Sequence, residues 1–179
     1  MRLVLSIAAL ATVSTLAFAQ PQSPSPASGN LSKADRDFVD KAARAGLAEV
    51  AEGQLALKQA SSRNVKDFAR RMVHDHSEAG DQLKQIALGE GISPPASVSR
   101  SDAAQQSKLS RENGAAFDRD YIAAQRTAHK EAVALFAKES KSGTNPALKS
   151  FAAQTLPTLE EHYRMVTSIS SRRRVSRSM

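Results

Sequence analysis

The chain has 179 residues, 41% hydrophobic and 24% charged, with no cysteine and no tryptophan. The missing cysteine excludes disulfides, thiolate chemistry and a lipid-modified N-terminus, so the fold must be held by its core alone. Net charge is +7, but Arg2, Arg172, Arg173, Arg174 and Arg177 supply five of it, leaving +2 for residues 20–171. Basicity confined to the chain ends does not predict a nucleic-acid partner.

Met1-Arg2 begins a short positive segment, and Leu3 to Phe18 is an apolar run interrupted by Ser6, Thr12, Ser14 and Thr15. Ala17-Phe18-Ala19 places small residues where a signal peptidase reads them. Residues 1–19 are therefore expected to be a cleaved signal peptide, with the mature protein exported to the periplasm. A transmembrane helix needs ~20 mainly apolar residues. This run is shorter and is followed by Pro21, Pro24 and Pro26. Residues 20–30, rich in Pro, Ser and Gly, read as a flexible linker.

From residue 31 the apolar residues recur at helical spacing, and no stretch alternates long enough for a strand. Ser32 followed by Asp35 resembles a capping box and opens a helix that can run to about Ser61. Its inner stripe is Phe38, Ala42, Ala45, Glu49, Glu52 and Ala56. A second helix from Ser62 carries Val65, Phe68, Met72, His76, Ala79, Leu83 and Ala87, and stops at Gly89–Gly91 before Pro94-Pro95. Residues 92–113 form the longest connection, with room for a short helix after Ser101. A third long helix holds Phe117, Tyr121, Ala124, Ala128, Ala132 and Leu135, flanked by Ile122, His129, Val133 and Phe136, and ends at Gly143. Thr144-Asn145-Pro146 starts the fourth, with Leu148, Phe151, Thr155, Leu159, His162, Val166 and Ile169 on one face and an internal Pro157 that predicts a kink. Two helical hairpins joined by a longer crossover predict an all-α four-helix bundle over residues 31–171, with a basic tail at 172–179. Phe38, Phe68, Met72, Phe117, Tyr121, Phe136, Phe151 and Leu159 are its expected core.

The segment AARAGLAEVAEGQLALKQASSRNVKDFARRMVHDHSEAGDQLKQIA resembles the first hairpin of an exported bacterial family, domain of unknown function 4142, whose bundle is ferritin-like. AAFDRDYIAAQRTAHKEAVALFAKESKSG and LKSFAAQTLPTLEEHYRMV match the second hairpin. The resemblance spans roughly Leu31 to Ser170, and its most specific pieces are Asp75-His76 and Leu156-Pro157 through His162. It implies a ferritin-like fold and an envelope location, with members often labelled outer-membrane proteins. It implies no activity.

Four inward positions carry possible metal ligands, one on each long helix: Glu49, His76, His129 and His162. Imidazole and carboxylate groups projecting from facing helices are how bundles hold metals. At ~1.5 Å per residue, Glu49 and His76 differ in height by roughly 3 Å, and His129 and His162 by roughly 6 Å. A divalent transition metal is the expected ligand if the four converge. If they do not bind one, they should be hydrogen-bonded core residues. The Glu-x-x-His doublets of di-iron bundles are missing, since Val73 precedes His76 by three and Leu159 precedes His162 by three. His74 falls off the stripe and reads as a surface residue, while Asp75 is either an outer support for a histidine or a surface acid.

No phosphate loop or nucleophile motif is present, so the leading expectation is a non-enzymatic exported bundle active in envelope stress or metal handling. Two alternatives stand beside it: a metalloenzyme using the His/Glu cluster, and an interaction module whose basic tail touches an anionic envelope surface, peripheral to the outer membrane.

Overall fold

The structure is a computed structural model that describes residues 31–175, with side chains described through residue 171. The proposed signal peptide, the linker and Arg177 lie outside the described residues, as do the side chains of Arg172, Arg173 and Arg174. The described chain is all-helical, with five helices and no strand: α1 (Lys33–Gln59), α2 (Arg63–Gly89), α3 (Arg100–Leu109), α4 (Gly114–Ser142) and α5 (Pro146–Val175). None of them is long and apolar enough to cross a membrane.

The helix ends follow from local chemistry. Ser32 Oγ accepts the Asp35 amide at 3.0 Å and caps α1. Between α2 and α3 the chain turns at Gly91, whose φ of +74° few other residues adopt. The short helix on the crossover, expected after Ser101, begins two residues earlier, because Ser99 and Asp102 form a reciprocal capping box. Asn145 Oδ1 accepts the amides of Ala147 and Leu148, both at 3.0 Å, so α5 starts at Pro146 as expected. Helix α5 continues through Pro157 to Val175 and thus includes residues assigned to the tail.

α1 ends two residues short of Ser61 because a side chain from another helix takes over. Asp118 on α4 accepts the amides of Ser61 and Ser62, both at 3.1 Å, and the Ser61 hydroxyl at 2.7 Å. At the opposite end, Asp35 on α1 accepts the Thr144 amide at 3.0 Å and the Thr144 hydroxyl. Each hairpin turn is clasped by an aspartate of the other hairpin.

These clasps expose an internal repeat. Adding 83 to Gln59, the end of α1, gives Ser142, the end of α4, and adding 83 to Arg63 gives Pro146, the first residue of α5. The same offset carries Asp35 to Asp118, Phe38 to Tyr121, Ser61 to Thr144, Val65 to Leu148 and Phe68 to Phe151. Several buried positions correspond in the same way, Val39 with Ile122, Ala56 with Glu139, Ala69 with Ala152 and Leu83 with Val166.

The hairpin partners α1/α2 and α4/α5 pack along their lengths, α1 also meets α4, α2 meets α5, and α3 lies on α1 and α4. All eight expected core residues are buried. They divide into two clusters, one around Phe38, Phe136 and Phe151, the other around Phe68, Phe117 and Tyr121. Phe68 is 1% exposed and Phe151 5%, so alanine at either leaves a cavity and should cost about 3–5 kcal/mol in urea unfolding. Losses under about 1 kcal/mol at both would contradict this packing.

Candidate metal centre

Between the two apolar clusters the bundle turns polar. His76, His129 and His162, on α2, α4 and α5, bring one ring nitrogen each to within 4.8 Å of the other two. Their ring centroids are 5.3–5.5 Å apart.

Side-chain lean explains why His129 and His162 meet despite the height difference counted along the chain. A helical side chain points toward its own N-terminus. His129 on α4 therefore leans away from the α4–α5 turn, and His162 on α5 leans toward it. The two offsets close most of the gap.

Hydrogen bonding fixes which nitrogen His129 and His162 present. His129 Nδ1 lies 2.9 Å from the Gln125 carbonyl oxygen, which can only accept, so Nδ1 carries the proton and Nε2 is a lone pair. His162 Nε2 lies 2.8 Å from Asp75 Oδ2. Burial would raise the Asp75 carboxyl, but bonds from His74, His162 and Arg71 outweigh it and hold the pKa at about 2. That carboxylate is ionised and only accepts, leaving His162 Nδ1 as a lone pair. His76 Nε2, His129 Nε2 and His162 Nδ1 are all enclosed, and none has a hydrogen-bond partner. All three rings are neutral near pH 7. Burial, reinforced by the other two imidazoles, pushes His76 down to about 3. Burial pushes His129 to about 4 and also lowers His162 against the pull of Asp75.

Neutral imidazoles are the form in which histidine binds a metal, and His129 and His162 also have their outer nitrogens anchored, by the Gln125 carbonyl and Asp75. Ligand nitrogens ~2.0–2.1 Å from an ion lie roughly 3.4 Å apart, so the rings need close by only about an ångström. His129 and His162 are also hydrogen-bonded core residues, through the Gln125 carbonyl and Asp75, while among the described residues no hydrogen bond joins the three rings to one another.

Glu49 does not join the three imidazoles. It is 5% exposed, and its Oε1 lies 3.7 Å from His129 Nδ1, the ring edge facing away from the cluster. Its height on α1 was readable, but which edge of the histidine it would meet was not. There it belongs to a second polar group that the sequence reading missed. Gln125 Nε2 donates to Glu52 Oε2 at 3.1 Å, and Tyr121 is buried close enough to feel both carboxyl groups. Burial, then the neighbouring Glu52, lifts Glu49 to about 8, and burial lifts Glu52 to about 7. The available signal was Gln125, one turn before His129 on the inner face of α4. His74 is exposed, as expected, and its Nδ1 bonds Asp75 Oδ1 at 2.9 Å.

A helical bundle with three inward imidazoles defines the class of protein. The chain belongs to the family described as Domain of unknown function (DUF4142), whose model matches residues 20–169. No curated protein matches it in sequence. Among solved structures it is similar to a DUF305 fragment from Deinococcus radiodurans, at 17% identity and a TM-score of 0.70, covering 80% of this chain and 99% of that one. It is also similar to CopM in its Cu(II)-bound form, at 14% identity and a TM-score of 0.66, and in its Cu(I)-bound form, at 16% and 0.64. Each CopM comparison covers 77% of this chain and 96% of CopM. At these identities the likeness is one of fold.

Proposed function

We propose that this chain is an exported, ferritin-like four-helix-bundle protein that binds a transition-metal ion through His76, His129 and His162, and that it handles metal in the cell envelope rather than catalysing a reaction. The observation that carries the reading is the convergence of three neutral imidazoles, each with an enclosed ring nitrogen that has no hydrogen-bond partner. A donor set of three imidazoles suits zinc, copper, nickel or iron, and geometry and supply decide among them. The CopM structures with copper bound, and a further one with silver bound, support metal handling as a use of this fold. The family match that begins at Gln20, the residue after the expected cleavage site, supports export. Arg172, Arg173, Arg174 and Arg177 are proposed to favour an anionic envelope surface, each contributing ~1 kcal/mol near it.

Mature protein purified from periplasm without chelators should begin at Gln20 in mass spectrometry. It should contain close to one equivalent of transition metal by elemental analysis, or take up one equivalent of zinc or copper in calorimetric titration. Substoichiometric metal and no uptake would sink the metal reading. An intact Met1 on membrane-embedded protein would sink export.

A further inference from the structure

We propose that the cavity bordered by His76 and Glu49 is a pocket for a small exogenous ligand of the bound ion, water or a triatomic anion, reaching from the ion toward Glu49. This rests on the metal reading above and assigns what the fourth position of that centre takes.

Three protein ligands leave an ion of tetrahedral preference one position short. The structure supplies a void bordered by His76, one of the three ligands. A cavity of about 50 Å³ is walled by all four long helices, with His76 and Glu49 facing it among alanines, Leu83 and Leu159. A water needs roughly 10–15 Å³ of such space, so the volume admits about three atoms beyond hydrogen and excludes an aromatic ring. The wall is apolar apart from His76, Thr155 and Glu49. Glu49 is more than nine-tenths buried, and its Oε2 has no partner. An apolar void stays dry, whereas one with an orphaned carboxyl oxygen gives a small polar ligand a hydrogen-bonding partner.

The repeat explains why the void exists. With the 83-residue offset, His129 corresponds to Gly46, His162 to Ala79 and Glu49 to Ala132. Gly46, Ala79 and Ala132 all line the cavity. At these three positions the opposite half has side chains of one carbon or none, while His76 corresponds to Leu159, which also borders the cavity. A Cβ placed on Gly46 meets no atom within 4 Å. Close packing elsewhere in the core makes this absence of side chains local to the centre of the bundle.

The test uses the mature protein loaded with Cu(II), whose visible and electron paramagnetic resonance spectra report ligand exchange. Uptake of the ion is measured first; if none binds, or if His76→Ala does not impair uptake, the metal reading fails and this proposal with it. With copper bound, azide should give a saturable new charge-transfer band, while imidazole, too large for the cavity, should give none. Gly46→Leu should retain copper but weaken azide binding at least tenfold. Ala132→Val should act in the same direction and serves if Gly46→Leu does not fold. Bound copper that ignores azide, accepts imidazole equally, or responds identically in the filled variants would overturn the pocket and leave the metal site standing.

Discussion

Alanine at His76 should abolish the thermal stabilisation that zinc gives the apo protein, alanine at Asp75 should weaken zinc binding 10- to 100-fold, and alanine at His74 should change little. The three residues are sequence neighbours, so the gradient tests geometry rather than region. A ligand that binds only the folded state stabilises it by mass action, about 2.7 kcal/mol at a hundred times Kd. For a domain of this size that is a rise in Tm of roughly 5–10 °C. His76 supplies one of three inward nitrogens, and two imidazoles do not close a site in which no other group of the cluster is within reach. Asp75 acts through His162. Its carboxylate fixes the tautomer that leaves Nδ1 free, and outer-shell partners of this kind are typically worth 10- to 100-fold in affinity. His74 only touches Asp75 Oδ1 from the solvent side. Competition with a chromophoric chelator gives Kd directly, which separates Asp75 from a merely structural role, since losing its Arg71 contact lowers Tm without altering Kd. Equal losses at His74 and His76 would refute the assignment.

Much of this was legible in the sequence because the physics is periodic. The stripes of Phe38, Phe68, Tyr121 and Phe151 fixed which faces turn inward, and inward histidines on three such stripes had to come near one another. Two things escaped. The rotation of a ring about its own axis is set by partners that periodicity does not reveal. Gln125 and Asp75 decide which nitrogens of His129 and His162 face the centre, and so leave Glu49 on the wrong edge of His129. The repeat escaped for a different reason. Its clearest marks, Asp35 with Asp118 and Ser61-Ser62 with Thr144-Asn145, are polar residues that look like ordinary helix caps until each aspartate is seen bonding the other hairpin's turn. A lone aspartate near a helix start carries no information about a partner more than fifty residues away.

The apo protein should be most stable in a plateau between about pH 4.5 and 6.5, losing stability on both sides, and more steeply toward acid. Two buried populations oppose each other. Burial lifts Glu49 to about 8 and Glu52 to about 7, and burial together with the adjacent Asp35 lifts Glu139 to about 7. Their folded-state pKa values exceed the unfolded value of 4.5. The stability they contribute is therefore complete below 4.5 and is lost as pH rises through 7 to 8. The histidines run the other way. With folded values near 3 for His76, near 4 for His129 and below the ordinary 6.5 for His162, they contribute stability present above 6.5 that is lost as pH falls toward those values. Each proton by which the two states differ is worth ~1.4 kcal/mol per pH unit. Between 6.5 and 4.5 the three glutamates gain while the histidines lose, and the opposing slopes largely offset each other. Above 6.5 only the glutamates act, so stability should fall by on the order of 2 kcal/mol from pH 6 to pH 8. Below 4.5 the histidine penalty is unopposed. Asp35 and Asp75 then add to it, because hydrogen bonds from Thr144, and from His74, His162 and Arg71, overcome burial and hold both near 2. The fall from pH 4.5 to 3 should reach on the order of 6 kcal/mol, comparable to the whole stability of many domains. Urea midpoints at pH 3.5, 5.5 and 8, with a chelator to keep metal off the histidines, measure all three regimes. A stability that climbed steadily from pH 5 to 8 would mean that Glu49, Glu52 and Glu139 are already ionised near pH 5 in the folded protein, against the raised values that burial gives them.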